Sequence, residues 1–340
     1  MTGYEIIKRN IEFSNPDRIG IKFQSLGEGD MTRIYLQRSK EYRNKDEVPN
    51  IERQPKPYTD RPDEWGVSWD SHGESNGLGQ PVSSPLEDIE EQEDYVFPDI
   101  NAEGRFDGLE EALQKAEKEG KWVQFREAYF LFERHHMIRS YEEALMDLYV
   151  DEENSIKLID RILEYHLQLL AKINELAPGR IHSYETSDDW GTQTNLQISP
   201  ELWRKIYKPR YKKFADAVHS YGMYFELHSC GFITDIMEDL IEVGVDMVQI
   251  NQPGLMGMEE FGNKFRGRIV FDVGADIQSV LPTHNKELIS KHIQDLIKHW
   301  GTPNGGIIAA EYRFPESIGA TQEDMEYALE CWKKYGDLKN

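Results

Sequence analysis

The residues best equipped for chemistry fall in one short stretch, Phe225-Glu226-Leu227-His228-Ser229-Cys230-Gly231, where an apolar run gives way to glycine. Side chains alternate faces along a strand, so if residues 223–230 are extended, Glu226, His228 and Cys230 share one face. A carboxylate, an imidazole and a thiol at a strand end offer the O, N and S donors that zinc accepts. The same residues equally suit a buried thiol beside a hydrogen-bonded histidine. A second acidic stretch, Glu185-Thr186-Ser187-Asp188-Asp189-Trp190-Gly191-Thr192-Gln193, follows another strand-like run. Asp188 or Asp189 could hold a substrate or act as general acid; the competing role is a turn, with the side chain bonded to backbone N–H groups. Gln193 is a weaker candidate of the same kind.

The elements needed to position these residues are strands alternating with helices, because parallel α/β barrels collect their chemistry at the C-terminal strand ends. Strand-like runs at 19–23, 122–125, 181–184, 224–228, 247–250, 269–273 and 306–310 supply the first kind. Helical patterns at 109–119, 131–150, 155–176, 199–220, 233–243, 286–300 and 322–335 supply the second, and Ser199-Pro200 reads as an N-cap followed by a first-turn proline. An eighth strand is expected in the poorly patterned N-terminal region. The fold class expected is therefore α/β, a single (β/α)8 TIM-type barrel spanning 1–340. Residues 32–100 form an irregular N-terminal segment or insertion covering one end, with a hairpin signalled by Gly77, Gly79 and Pro81. The acidic run 87–94 reads as a solvated helix face. No glycine fingerprint for a dinucleotide and no phosphate-cradling loop follows any strand.

The polar residues at the strand ends make a short set: Gln24 and Ser25, Arg126 and Glu127, Glu185, Asp188 and Asp189, Glu226, His228 and Cys230, Gln249, Asn251 and Gln252, Asp272, Asp276 and Gln278, Glu311 and Tyr312. Nearby aromatic residues, including Tyr184, Trp190, Tyr312 and Phe314, would suit a flat or methylated small molecule. The formal charge of −23 argues against nucleic acid and against an anionic membrane surface. No apolar run approaches the roughly 20 residues of a bilayer span, and the N-terminus lacks the plan of a signal peptide. With only two cysteines, Cys230 and Cys331, a disulfide framework is excluded, and the chain reads as cytoplasmic. Cys331, beside Trp332 in an amphipathic helix, reads as a packing residue.

Several of these stretches together resemble the uroporphyrinogen decarboxylase superfamily: Asn15-Pro16-Asp17-Arg18, Asp188-Asp189-Trp190-Gly191 leading into Ser199-Pro200, His228-Ser229-Cys230-Gly231, and Asp272-Val273-Gly274-Ala275-Asp276-Ile277-Gln278. The resemblance implies a (β/α)8 barrel and is nearer to the corrinoid-associated methyltransferase branch than to the haem-pathway decarboxylase. Where that decarboxylase carries an arginine-rich motif, this chain reads Phe23-Gln24-Ser25-Leu26-Gly27-Glu28. The branch implies zinc held by His-x-Cys, matched by His228 and Cys230, plus a third cysteine near the last strand, where this chain has Glu311. That departure leaves Glu311 or Glu226 as third ligand, or no zinc; Glu311, at the expected strand end, is preferred, with Glu226 then a fourth ligand or supporting carboxylate. The implied function is zinc-dependent methyl transfer, of the demethylating kind, between a small methoxyaromatic or methylamine-type donor and a corrinoid on a partner protein. A homodimer is implied by the resemblance alone. The alternatives are a metal-free decarboxylase and a binding barrel whose site has decayed.

Overall fold

The computed structural model describes residues 1–70 and 79–339, so Gly77 of the hairpin signal lies outside the described residues. Eight strands run parallel: β1 (Gly20–Phe23), β2 (Met31–Tyr35), β3 (Trp122–Arg126), β4 (Ser183–Ser187), β5 (Tyr224–His228), β6 (Met247–Ile250), β7 (Val270–Val273) and β8 (Ile307–Ala310). Strand β8 returns to β1, with Gly20 opposite Ile308 and Lys22 opposite Ala310. The seam lies between β1 and β2, where residues 24–30 turn back and Glu28–Gly29 pairs antiparallel with β1. Asp30 stitches it: its N–H donates to the Ile21 carbonyl at 2.8 Å, and its carboxylate accepts the Ile21 N–H at 2.8 Å and the Arg18 guanidinium at 2.7 Å. The chain thus forms the (β/α)8 barrel that its alternating pattern predicts.

Strand β8 is an unbroken apolar run and β6 departs from one only at Gln249; both are buried throughout, as parallel strands covered on both faces must be. The helices are α1 (Gly3–Ile11), α2 (Leu109–Glu119), α3 (Leu131–Arg139), α4 (Tyr141–Val150), α5 (Glu152–Leu176), α6 (Pro200–Ile206), α7 (Lys208–Ser220), α8 (Met237–Val243), α9 (Met258–Phe265), α10 (Lys286–Trp300) and α11 (Gln322–Tyr335). Two runs read as single helices are each divided. Ser140, at φ +83°, separates α3 from α4 and caps α4 through its side chain. Pro209, in the first turn of α7 where its missing N–H costs nothing, marks the break after α6. No helix among the described residues is long and apolar enough to cross a membrane.

Helix α1 closes the N-terminal end of the barrel: Ile7 and Ile11 pack with Met31, Trp122, Met247, Val270 and Ile308 from the strands. The barrel interior therefore has an apolar floor, and its polar contents lie in the half nearer the mouth. Between β2 and α2, the described residues 36–70 and 79–108 form an irregular cover containing the antiparallel pair Ser68–Asp70 with Gln80–Ser83. Within it the acidic run becomes a short 3-10 turn, Ile89–Glu93, burying Ile89 and Gln92 and leaving Glu90 and Glu91 in solvent.

Candidate metal centre and active site

Two loops carry the chemistry, and their backbones are zipped together. The first follows β4 and the second follows β5. Asp188 N–H donates to the His228 carbonyl at 3.0 Å, Gly191 N–H to the Cys230 carbonyl at 3.1 Å, and Phe232 N–H to the Thr192 carbonyl at 2.8 Å. Trp190 N–H donates to Ser229 Oγ at 3.0 Å. Two glycines permit this approach. A Cβ on Gly231 would lie 2.1 Å from the Gly191 carbonyl oxygen, and Gly231 sits at φ +79°, where other residues are strained.

The zipper brings Asp189, His228 and Cys230 together, with their donor atoms all within 4.8 Å of one another. His228 Nε2 is 3.4 Å from Asp189 Oδ1 and 3.4 Å from Cys230 Sγ. Donors on a tetrahedral zinc, at bond lengths of about 2.0–2.3 Å, sit about 3.3–3.7 Å apart, so the O/N/S set fits that ion. The proton arrangement fits as well. His228 Nδ1 faces the Gln249 side-chain oxygen, which only accepts, so Nδ1 carries the proton and the Nε2 lone pair turns toward Asp189 and Cys230. Gln249 is oriented in turn by donating to Asn251 Oδ1 at 2.9 Å. Cys230 N–H donates to Asp189 Oδ1 at 2.7 Å and fixes that carboxylate. Burial lowers the His228 pKa and keeps the imidazole neutral, as a ligand requires. Burial, with the Asp189 and Glu133 carboxylates adding to it, pushes the Cys230 thiol well up; a bound cation is what would draw off its proton.

The other expected site residues are distributed differently. Strand β5 ends at His228, so Cys230 is on the loop, and Glu226 lies one inward position deeper, fully buried. There Glu226 meets Lys22 Nζ at 3.1 Å and the Gln124 amide, away from the ligand cluster. Glu311 lines the same cavity but is held by Ser25, whose N–H donates to Oε1 at 2.8 Å and whose hydroxyl donates to Oε2. The carboxylate gathered with His228 and Cys230 is Asp189. Asp188 points the opposite way and accepts from the N–H groups of Leu131, Phe132 and Glu133 at 3.2, 2.9 and 2.9 Å and from the Tyr211 hydroxyl at 2.6 Å. It caps α3, the backbone-bonding role that the sequence offered beside the catalytic one. Tyr184 packs among Phe125 and Phe214, its hydroxyl 3.3 Å from His166 Nδ1. Trp190 stacks on Phe132 and donates to the Tyr211 hydroxyl at 2.9 Å. Both face the helix layer, because their neighbours Glu185 and Asp189 take the inward positions. Gln193 is exposed outside the cavity lining, while Tyr312 does line it.

The cavity, of about 570 Å³, opens at the C-terminal strand ends. His228, Cys230, Asp189 and Gln249 form one part of its wall, Tyr312 and Phe314 an aromatic part, and Gln54 and Gln80 reach it from the N-terminal cover. Of its cations Lys22, Arg33, Arg126 and Arg313, sequence reasoning named Arg126 among the strand-end residues and missed the other three. Lys22, the one charge in an otherwise apolar strand, was the available signal. Arg33 Nη2 lies 2.8 Å and Lys22 3.7 Å from Glu185, which also pairs with Arg126. Lys22 bonds Asp272 as well as Glu226. Burial works to raise both carboxyls; Lys22 and Arg33 hold Glu226 down at about 2. Burial and the Glu226 charge keep Asp272 up at about 7 in spite of Lys22.

No curated protein sequence matches the chain. Among solved structures, a methyltransferase from Methanosarcina mazei superposes with a TM-score of 0.61 at 14% identity, covering 80% of this chain and 76% of that one. A D-psicose 3-epimerase from Clostridium cellulolyticum H10, with D-tagatose, gives a TM-score of 0.44 at 10% identity over 67% of this chain and 82% of its own. Likeness at these identities is one of fold. The sequence profile of uroporphyrinogen decarboxylase (URO-D) matches residues 132–312. That segment contains both zipped loops and more than half of the sequence, and the chain belongs to the uroporphyrinogen decarboxylase family.

Proposed function

We propose that this protein is a zinc-dependent methyltransferase that moves a methyl group between a small methylated donor and a corrinoid carried by a partner protein. The observation that carries the reading is the convergence of Asp189, His228 and Cys230 on one wall of an open cavity. When bound, zinc supplies Lewis acidity toward a heteroatom of the substrate, improving it as a leaving group. The chain's own residues set the conditions for this. Gln249 fixes the His228 tautomer so that Nε2 is the donor, and the Cys230 N–H holds the Asp189 carboxylate in place. Tyr312 and Phe314 offer apolar faces for the body of a methylated molecule. Gln54 and Gln80 also line the cavity from the cover, and a corrinoid on a partner protein would reach the substrate through the same opening. Asp189 replaces Glu311 as the third ligand in this proposal.

Metal analysis of the purified protein beside His228→Ala, Cys230→Ala and Asp189→Ala tests the centre. One zinc per chain is expected in the parent and a marked loss in each variant; equal zinc in all four would remove the ligand assignment. Addition of a reduced corrinoid protein with candidate donors should then change the cobalt absorbance only with the zinc-replete enzyme. A second reading, metal-free decarboxylation, is favoured by the guanidinium groups on the cavity wall. It predicts carbon dioxide release that survives both chelation and His228→Ala.

A further inference from the structure

We propose that the substrate carries a carboxylate and that Arg313 receives it. The inference deepens the methyltransferase reading by naming a substrate class, and rests on that reading only for the reaction. Although the chain bears a formal charge of −23, the cavity is lined by the cations Lys22, Arg33, Arg126 and Arg313. Three of these are matched: Lys22 by Glu226 and Asp272, Arg33 and Arg126 by Glu185. Arg313 is different. Among the described residues it has no carboxylate partner, and its Nη1 donates to the Tyr35 hydroxyl, with the guanidinium carbon 5.5 Å from the Tyr35 ring centroid.

Tyr35 therefore fixes the guanidinium without neutralising it. The same hydroxyl also lies 3.5 Å from Arg33 Nη1. Burial alone would push the Tyr35 phenol up, yet Arg33, Arg313 and Arg126 hold it below its ordinary value. The potential at this part of the wall is thus positive beyond what Glu185 cancels. A guanidinium presents five N–H donors in a planar fork that matches the two oxygens of a carboxylate. Arg313 spends one on Tyr35 and leaves the others for the cavity. Tyr312 and Phe314, its chain neighbours, line the cavity beside it and provide apolar contact for the remainder of a small acid. Asp189 and Glu311 also line the cavity, so a phosphate dianion would meet about twice the repulsion that a monoanionic carboxylate does.

Isothermal titration of the zinc-replete protein with 4-methoxybenzoate against 4-methoxybenzamide, and with trimethylglycine against its amide, tests the assignment. At least one acid should bind about tenfold or more tightly than its amide. Arg313→Gln should abolish that ratio with zinc content and melting temperature unchanged, and Arg313→Lys should retain part of it. Acids binding no better than amides, no acid binding at millimolar concentration, inorganic phosphate binding as tightly as the acids, or an undiminished ratio in Arg313→Gln would each overturn it. Binding is read without a corrinoid partner. A protein that prefers acids but transfers no methyl group overturns the reaction alone; one that demethylates acid and amide equally overturns the carboxylate subsite alone.

Discussion

At Gln249 one side-chain oxygen decides which nitrogen of His228 faces the ligand cluster. Removing it leaves all three ligands in place but lets the imidazole adopt the other tautomer or rotate. Gln249→Ala should therefore weaken zinc binding by about 10–100-fold without abolishing it, and Gln249→Glu, which keeps an acceptor, should retain affinity. Competition with a chromogenic chelator measures both; unchanged affinity in Gln249→Ala would show that the tautomer is set elsewhere. The carboxylate expected as third ligand, Glu311, and the one gathered beside His228 and Cys230, Asp189, separate just as directly. Asp189→Asn should lower zinc stoichiometry, whereas Glu311→Gln, a residue occupied by Ser25, should leave it at the parent value. The opposite result would return Glu311 to the coordination set.

The loop after β4 works as an element because Asp188 anchors it to the start of α3 while Asp189 turns into the cavity. Asp188→Ala would strand the first N–H groups of α3 and the Tyr211 hydroxyl in buried surroundings. A loss of about 2–4 kcal/mol is expected in urea denaturation; a loss below the experimental scatter would mean water reaches those donors. On the other side of β5, His219 of α7 bonds Asp246 at 2.7 Å, and Asp246 accepts the Phe225 N–H at 2.8 Å. That bond raises the His219 pKa against the effect of burial. With a folded value above the unfolded one of about 6.5, the contribution is fully present below that pH and fades as pH rises through the folded value. The melting-temperature gap between the parent and His219→Gln should hence be widest in mild acid and narrow in alkali. A gap independent of pH would contradict this. The elements themselves were unequally legible. Strands such as Ile307–Ala310 are plain apolar runs, but β2 hides because its inward position is Arg33. Helix α9, only eight residues long and interrupted by Gly262, is too short for its periodicity to stand out. His228 and Cys230 were readable from alternation. Asp189 was readable as a candidate too, but its partnership with them was not, because it depends on two glycines from different loops meeting back to back.

Across the whole molecule, the interior of the barrel mouth is a charge lattice joining strands that are distant in sequence. Lys22 of β1 meets Glu226 of β5 and Asp272 of β7, and Arg33 and Arg126 of β2 and β3 meet Glu185 of β4. Such a lattice is a poor source of net stability, yet breaking it from one side is costly, since the partner charges remain buried. Lys22→Met removes the cation between two carboxylates and should destabilise the barrel by about 3–5 kcal/mol at neutral pH. The pH dependence gives the sharper test. The Asp272 carboxyl already titrates at about 7, raised by burial and by Glu226, and loss of Lys22 removes what opposes that rise. A carboxyl whose folded value exceeds its unfolded one of about 3.9 favours the fold when protonated, and that benefit disappears as pH climbs through the folded value. The melting-temperature deficit of Lys22→Met should accordingly shrink at mildly acid pH and grow in mild alkali. Combining it with Glu226→Gln and Asp272→Asn, which removes both buried charges, should recover much of the deficit at every pH. If the single variant's deficit is the same in mild acid and mild alkali, Lys22 supports the barrel by packing alone, and the lattice is not what holds β1, β5 and β7 together.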